Sequence, residues 1–148
     1  MRNSLVKLIV CASFVTNAYA QDSDPQGLWK IVDENSGKAT AVIKVVKSEG
    51  ILHGTIQKVL GRPDGAPAPT CDACEGELKG TPIIGLRILS GHRDDGEKYS
   101  GGEILDPGNG KTYSSNLKVV ENGMKMEVRG YVGLPLFGRS QIWERVEN

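Results

Sequence analysis

From residue 27 onward, apolar and polar side chains alternate with a period of two, as in strands that bury one face and wet the other. Eight segments carry the pattern. Gly27 to Val32 is the first, and the turn cluster Asp33 to Gly37 separates it from Ala39 to Val46, where Ala41, Ile43 and Val45 share a face. Ser48-Glu49-Gly50 leads into Ile51 to Leu60, with Leu52, Gly54 and Ile56 on one side and His53, Thr55 and Gln57 on the other. After a long interruption come Gly85 to Leu89 and, beyond a charged turn at Asp94-Asp95-Gly96, Tyr99 to Leu105. A turn at Asp106 to Gly110 precedes Thr112 to Val120, which aligns Tyr113, Ser115, Leu117 and Val119. Asn122-Gly123 is the strongest hairpin signal in the chain, since a type I′ turn needs positive φ at both central residues. It predicts Met124 to Tyr131, with Met124, Met126 and Val128 inward and Lys125, Glu127 and Arg129 outward, before the last strand, Ser140 to Val146.

With short turns and no amphipathic helix, this pattern predicts an all-β fold. The arrangement expected is an eight-stranded antiparallel up-and-down barrel, whose closure removes exposed edges, with a two-sheet sandwich as the alternative. A barrel of this size either fills its interior with side chains or keeps room for one small ligand. Gly61 to Pro82 carries four of the seven prolines and reads as a long loop across one end of the sheet, of a length that is usually functional.

The first 20 residues read differently. Arg2 and Lys7 precede an apolar run from Leu8 to Val15, and Ala18-Tyr19-Ala20 offers a small-x-small cleavage site, the three parts of a secretory signal peptide. Cleavage after Ala20 leaves a single domain over 21–148, 128 of the 148 residues, in the periplasm or secreted. The apolar run is far shorter than the roughly 20 residues of a spanning helix, and no later segment serves, so no transmembrane segment is expected. Cys11 follows Val10 rather than a small residue, which argues against lipid attachment, and it leaves with the signal.

Without Arg2 and Lys7, the 18 basic residues fall to 16 against 18 acidic ones, a formal charge of −2. No basic stripe exists to neutralise phosphates, so no nucleic-acid partner is expected. All 19 glycines fall in the mature part, about 15% of it against a usual ~7%, which is the punctuation of a turn-rich β chain.

Five motifs resemble one known family. They are Gly27-Leu28-Trp29-Lys30, Cys71-Asp72-Ala73-Cys74, Gly101 to Pro107 followed by Gly110 to Tyr113, Val128 to Gly133, and Arg139 to Arg145. In order and spacing they resemble the bacterial exported family catalogued as domain of unknown function 2147. The resemblance covers nearly all of the mature chain and implies a small lipocalin-like β-barrel with no agreed activity. The Gly-x-Trp opening and late arginine also resemble the lipocalin arrangement, which implies that Trp29 plugs one barrel end beneath Arg145 or, second, Arg139. That role is structural.

Candidate chemistry is sparse. Cys71 and Cys74 are expected as a disulfide in an oxidising compartment, although their spacing also suits half a metal site or a redox pair. His53, on the polar face of its strand, and His92, in a charged turn, read as solvated side chains. Ser90 and Asp94 flank His92, but sequence neighbours in a turn rarely form a triad, and no catalytic residue is assigned. Asp106 to Gly110 lacks the spaced carboxylates of a calcium loop, and neither a metal nor a cofactor is called for.

The inward set Leu52, Ile56, Tyr113, Met124, Met126 and Val128 reads either as plain core or as a lining for an apolar ligand, with Gly54, Gly102 and Gly130 leaving volume. Leu134 to Phe137 is either a lid or a small apolar patch offered to a partner or a membrane surface. The expectation is an exported, non-enzymatic module binding a small apolar or amphipathic molecule, gated by Gly61 to Pro82 and Leu134 to Phe137. A thiol or metal protein built on Cys71 and Cys74, and an interaction protein with a filled barrel, are the alternatives; no protein partner is specified.

Overall fold

The computed structural model describes residues 24–147. The signal-like segment, with Arg2, Lys7, Cys11 and the Ala18 to Ala20 site, lies outside the described residues. Eight antiparallel strands close into a barrel in sequence order: β1 (Gly27–Val32), β2 (Ala39–Ser48), β3 (Ile51–Val59), β4 (Arg87–Asp94), β5 (Tyr99–Asp106), β6 (Lys111–Val120), β7 (Lys125–Tyr131) and β8 (Arg139–Arg145). The seam pairs Trp29 with Arg145, Lys30 with Glu144 and Ile31 with Trp143, so the first and last strands meet and no edge is left unpaired. The barrel, rather than the two-sheet sandwich, is the fold.

Seven strands fall within a residue or two of the segments expected from alternation. β4 does not. It runs five residues beyond Leu89, to Asp94, and its far half has Ser90, Gly91 at φ 80° and His92 where an alternating apolar face would be sought. The charged turn shifts accordingly. Asp95 forms it, its carboxylate accepting backbone N–H bonds from Glu97 and Lys98 and a hydroxyl bond from Ser100. These bonds favour the ionised form and hold its pKa down at about 2.

The Asn122-Gly123 hairpin is also more open than expected. Val120 pairs with Lys125, which leaves a four-residue connection, with Glu121 at φ 49°, Asn122 at φ 54° and Gly123 at φ 88°. Positive φ was the right signal, but three residues share it, and Met124 is thereby displaced from the strand.

One end of the barrel is closed. Trp29 and Trp143 are fully buried with Ile43, Val45, Leu52, Leu117 and Met126, and cross-strand pairing sets Trp143 beside both Ile31 and Met126. The Arg145 guanidinium lies 4.3 Å over the Trp29 ring. It also donates to the carbonyls of Gly123, Gln26 and Asp24, while the Trp29 indole N–H donates to Pro25 O at 2.8 Å. Arg145 therefore ties the segment ahead of β1 across the plug. Arg139 takes no part, lying at the far end of the same strand.

Candidate functional site at the barrel mouth

The end opposite the plug is formed by the first residues of β6 and β8, the last of β5 and β7, and their connections. Here the core stops short of the rim and leaves a cavity of about 470 Å³. Its walls include Ile104, Leu105, Tyr113, Val128 and Gly130, and its rim Asp106, Asn109, Val132, Phe137, Arg139 and Gln141. Strand register explains the composition. Gly130 pairs with Arg139 and Val128 with Gln141, so two polar side chains alternate with buried Trp143 on the inner face of β8.

The three inward glycines differ in what they do. A Cβ at Gly54 would press on Leu89, and one at Gly102 would run into the His92 ring, so each admits a neighbour from β4 and leaves no volume. Gly130 alone opens onto the cavity. A Cβ there would sit 3.5 Å from Ile104 Cγ2 and 3.8 Å from Tyr113 Cβ, which is ordinary contact.

Of the expected lining set, Tyr113 and Val128 reach the cavity. Leu52, Ile56 and Met126 are buried in the packed part of the barrel and do not line it. Met124 is corrected outright. It is 40% exposed, in the β6–β7 connection at the plugged end, where the widened turn carries it out of the alternation.

His92 is corrected as well. It is fully buried, packed over Gly102, and its Nε2 and the Ser115 hydroxyl share a 2.7 Å hydrogen bond, while Nδ1 has no partner among the described residues. Burial pushes its pKa down from 6.5 to about 4; hydrogen bonding to Ser115 opposes the shift and the charge of His53 adds to it. His53 is half-buried rather than solvated. Asp94 does not complete a triad with Ser90 and His92, since it instead accepts the Gly96 N–H at 2.8 Å.

Cys71 and Cys74 are joined as a disulfide and buried. Among the described residues no group of three His, Cys, Asp or Glu is placed to hold a metal ion. The long loop does not gate the cavity, because no residue from 61 to 82 lines it. It buttresses the β5–β6 turn from outside instead. The Cys71 disulfide sulfur lies 3.7 Å from Pro107 O, and Gly110, at φ 73°, approaches the Ala73 carbonyl so closely that no Cβ fits. That turn supplies Asp106 and Asn109 to the rim.

The other connection does reach the mouth. Arg129 donates to Pro135 O at 2.7 Å and to the Ser140 hydroxyl at 2.9 Å, and Ser140 donates in turn to Glu127 at 2.7 Å. So held, the segment exposes Leu134, Leu136 and Phe137, the last by 75%, with one side of Phe137 on the cavity. Arg129, expected merely as an outward charge, is the residue that shapes this rim.

A closed eight-stranded barrel, plugged at one end by a tryptophan under an arginine and open at the other, is a lipocalin-like fold. Its described residues include no helix long and apolar enough to cross a membrane. A family model described as an uncharacterized protein conserved in bacteria (DUF2147) matches residues 27–145, and the chain belongs to that family. Protein HP1028 from the human pathogen Helicobacter pylori, described as belonging to the lipocalin family, has a similar solved structure. The TM-score is 0.72 at 20% identity over 84% of each chain, a likeness of fold. No curated protein sequence matches the chain.

Proposed function

We propose that this is an exported, non-enzymatic binding protein that holds a small apolar or amphipathic molecule in the mouth of its barrel. The observation that carries the reading is the 470 Å³ cavity, of a size that suits a small ligand, with aliphatic and aromatic walls and a polar rim. The signal-like first 20 residues support export, and a buried disulfide fits an oxidising compartment. A thiol or metal protein has less support, because both sulfurs are tied to each other and buried.

The experiment is titration of delipidated protein with the neutral fluorophore N-phenyl-1-naphthylamine. Saturable binding is expected, weakened at least tenfold in Gly130→Leu, whose side chain enters the cavity while the rest of the core stays as it is. Absence of saturable binding, or equal binding by a folded Gly130→Leu, overturns the proposal.

A further inference from the structure

The cavity holds an excess of hydrogen-bond donors, and this points to the chemistry of what it takes. Resting on the binding reading above, we infer that the ligand is an amphiphile with an anionic head, carboxylate or phosphate, received by Arg139, and an apolar body lying against Val128 and Ile104.

Three polar side chains carry the case. Arg139 lies on the inner face of β8 beside Gly130, which offers it no side chain; it is exposed at the rim, and its guanidinium makes no side-chain hydrogen bond or ion pair among the described residues. The amide oxygen of Gln141 accepts the Trp143 indole N–H at 3.4 Å, which leaves its amide N–H groups to face the cavity. The Tyr113 hydroxyl oxygen accepts from Asn109 Nδ2 at 3.0 Å, which leaves its proton to donate. A guanidinium, an amide and a phenol thus offer donors to one space.

The rim also carries one carboxylate. Asp106 is turned into its own turn, where its Oδ1 accepts the Gly108 N–H at 2.8 Å, and it forms no ion pair with Arg139. An arginine is charged at any physiological pH, and its planar fork matches a carboxylate or phosphate with two parallel bonds. An uncharged or cationic head leaves Arg139 unanswered, so the site discriminates by head group as well as by size.

The test displaces bound N-phenyl-1-naphthylamine with four ten-carbon compounds below their micelle concentrations: decanoate, decyl phosphate, decanol and decylamine. At least one anion is expected to displace the probe at about tenfold lower concentration than decanol, with decylamine the weakest. The better of the two anions identifies the head group. In Arg139→Gln the anion and decanol are expected to fall within about threefold of one another while decanol itself is unchanged, which also shows that the cavity is intact; Arg139→Lys restores part of the preference. Equal displacement by anions and decanol in the native protein, or a preference that survives Arg139→Gln, overturns the inference and leaves the binding reading standing. If the probe does not bind the native protein, both fall.

Discussion

Acidification from pH 7 to pH 4 is expected to destabilise the barrel through His92. The ring has no exposed surface, and its pKa in the folded protein is pushed down from 6.5 to about 4. Desolvation is the main cause, partly offset by the hydrogen bond with Ser115 and reinforced by the charge of His53. Above pH 6.5 the histidine is neutral whether the chain is folded or not, and stability is unaffected. As the pH falls below 6.5 the unfolded chain takes up a proton that the folded barrel refuses until about pH 4, so stability is lost across that window. A full proton of difference gives a slope of about 1.4 kcal/mol per pH unit, and the whole window roughly 3 kcal/mol. That is a large share of the 5–15 kcal/mol typical of a small domain. The assay is urea unfolding at half-unit pH steps, followed by fluorescence of the buried Trp29 and Trp143, in the native protein and in His92→Gln. Carboxylates titrate alike in both, so their difference isolates the imidazole. The native protein is expected to be the more stable near pH 7.5, its advantage shrinking by roughly 3 kcal/mol by pH 4. Parallel stability curves over that range would refute the reasoning.

Two further perturbations probe the scaffold. Arg145→Ala removes the guanidinium from the Trp29 ring and frees three backbone carbonyls, an expected loss of about 2–4 kcal/mol in urea unfolding, with ligand-probe binding at the opposite end retained. A loss under about 0.5 kcal/mol would show that the plug does not need its arginine. Replacing both Cys71 and Cys74 by Ser opens a ring of only four residues, worth about 2 kcal/mol or less by loop-closure entropy. Hydrogen exchange is expected to quicken in residues 61–86 while probe binding persists; loss of binding would mean that the long loop shapes the mouth more closely than its contacts with Pro107 and Gly110 suggest.

Much of the barrel was legible because most strands bury aliphatic side chains at every second position, and the aromatic plug was implied by the resemblance of Gly27-Leu28-Trp29 and the late Arg145 to the lipocalin arrangement. β4 was half hidden because one of its inward positions is taken by a histidine, a residue that reads as polar until Gly102 and Ser115 are known to lie opposite it. Met124 fails for a different reason. Alternation in Met124, Met126 and Val128 is real, but the turn takes four residues rather than two, with Met124 the last of them, and no periodicity reveals where a turn stops. The cavity was the least legible feature. Gly54, Gly102 and Gly130 look alike in sequence, yet two are filled by β4 side chains and one is not, a distinction made only by barrel closure. Arg139 and Gln141 could have been found from the sequence, because they alternate with Trp143 on β8, and an arginine in phase with a buried tryptophan is the available signal.

The most direct test of the account is a two-dimensional ¹H–¹⁵N NMR titration of delipidated protein with decanoate. Saturable shifts are expected in the amides of Ile104, Tyr113, Val128, Gly130, Arg139 and Gln141, with Trp29, Leu52 and Ile43 at the plugged end unmoved. Shifts centred on the plugged end or on residues 61–82, or no saturable shifts at all, would contradict it.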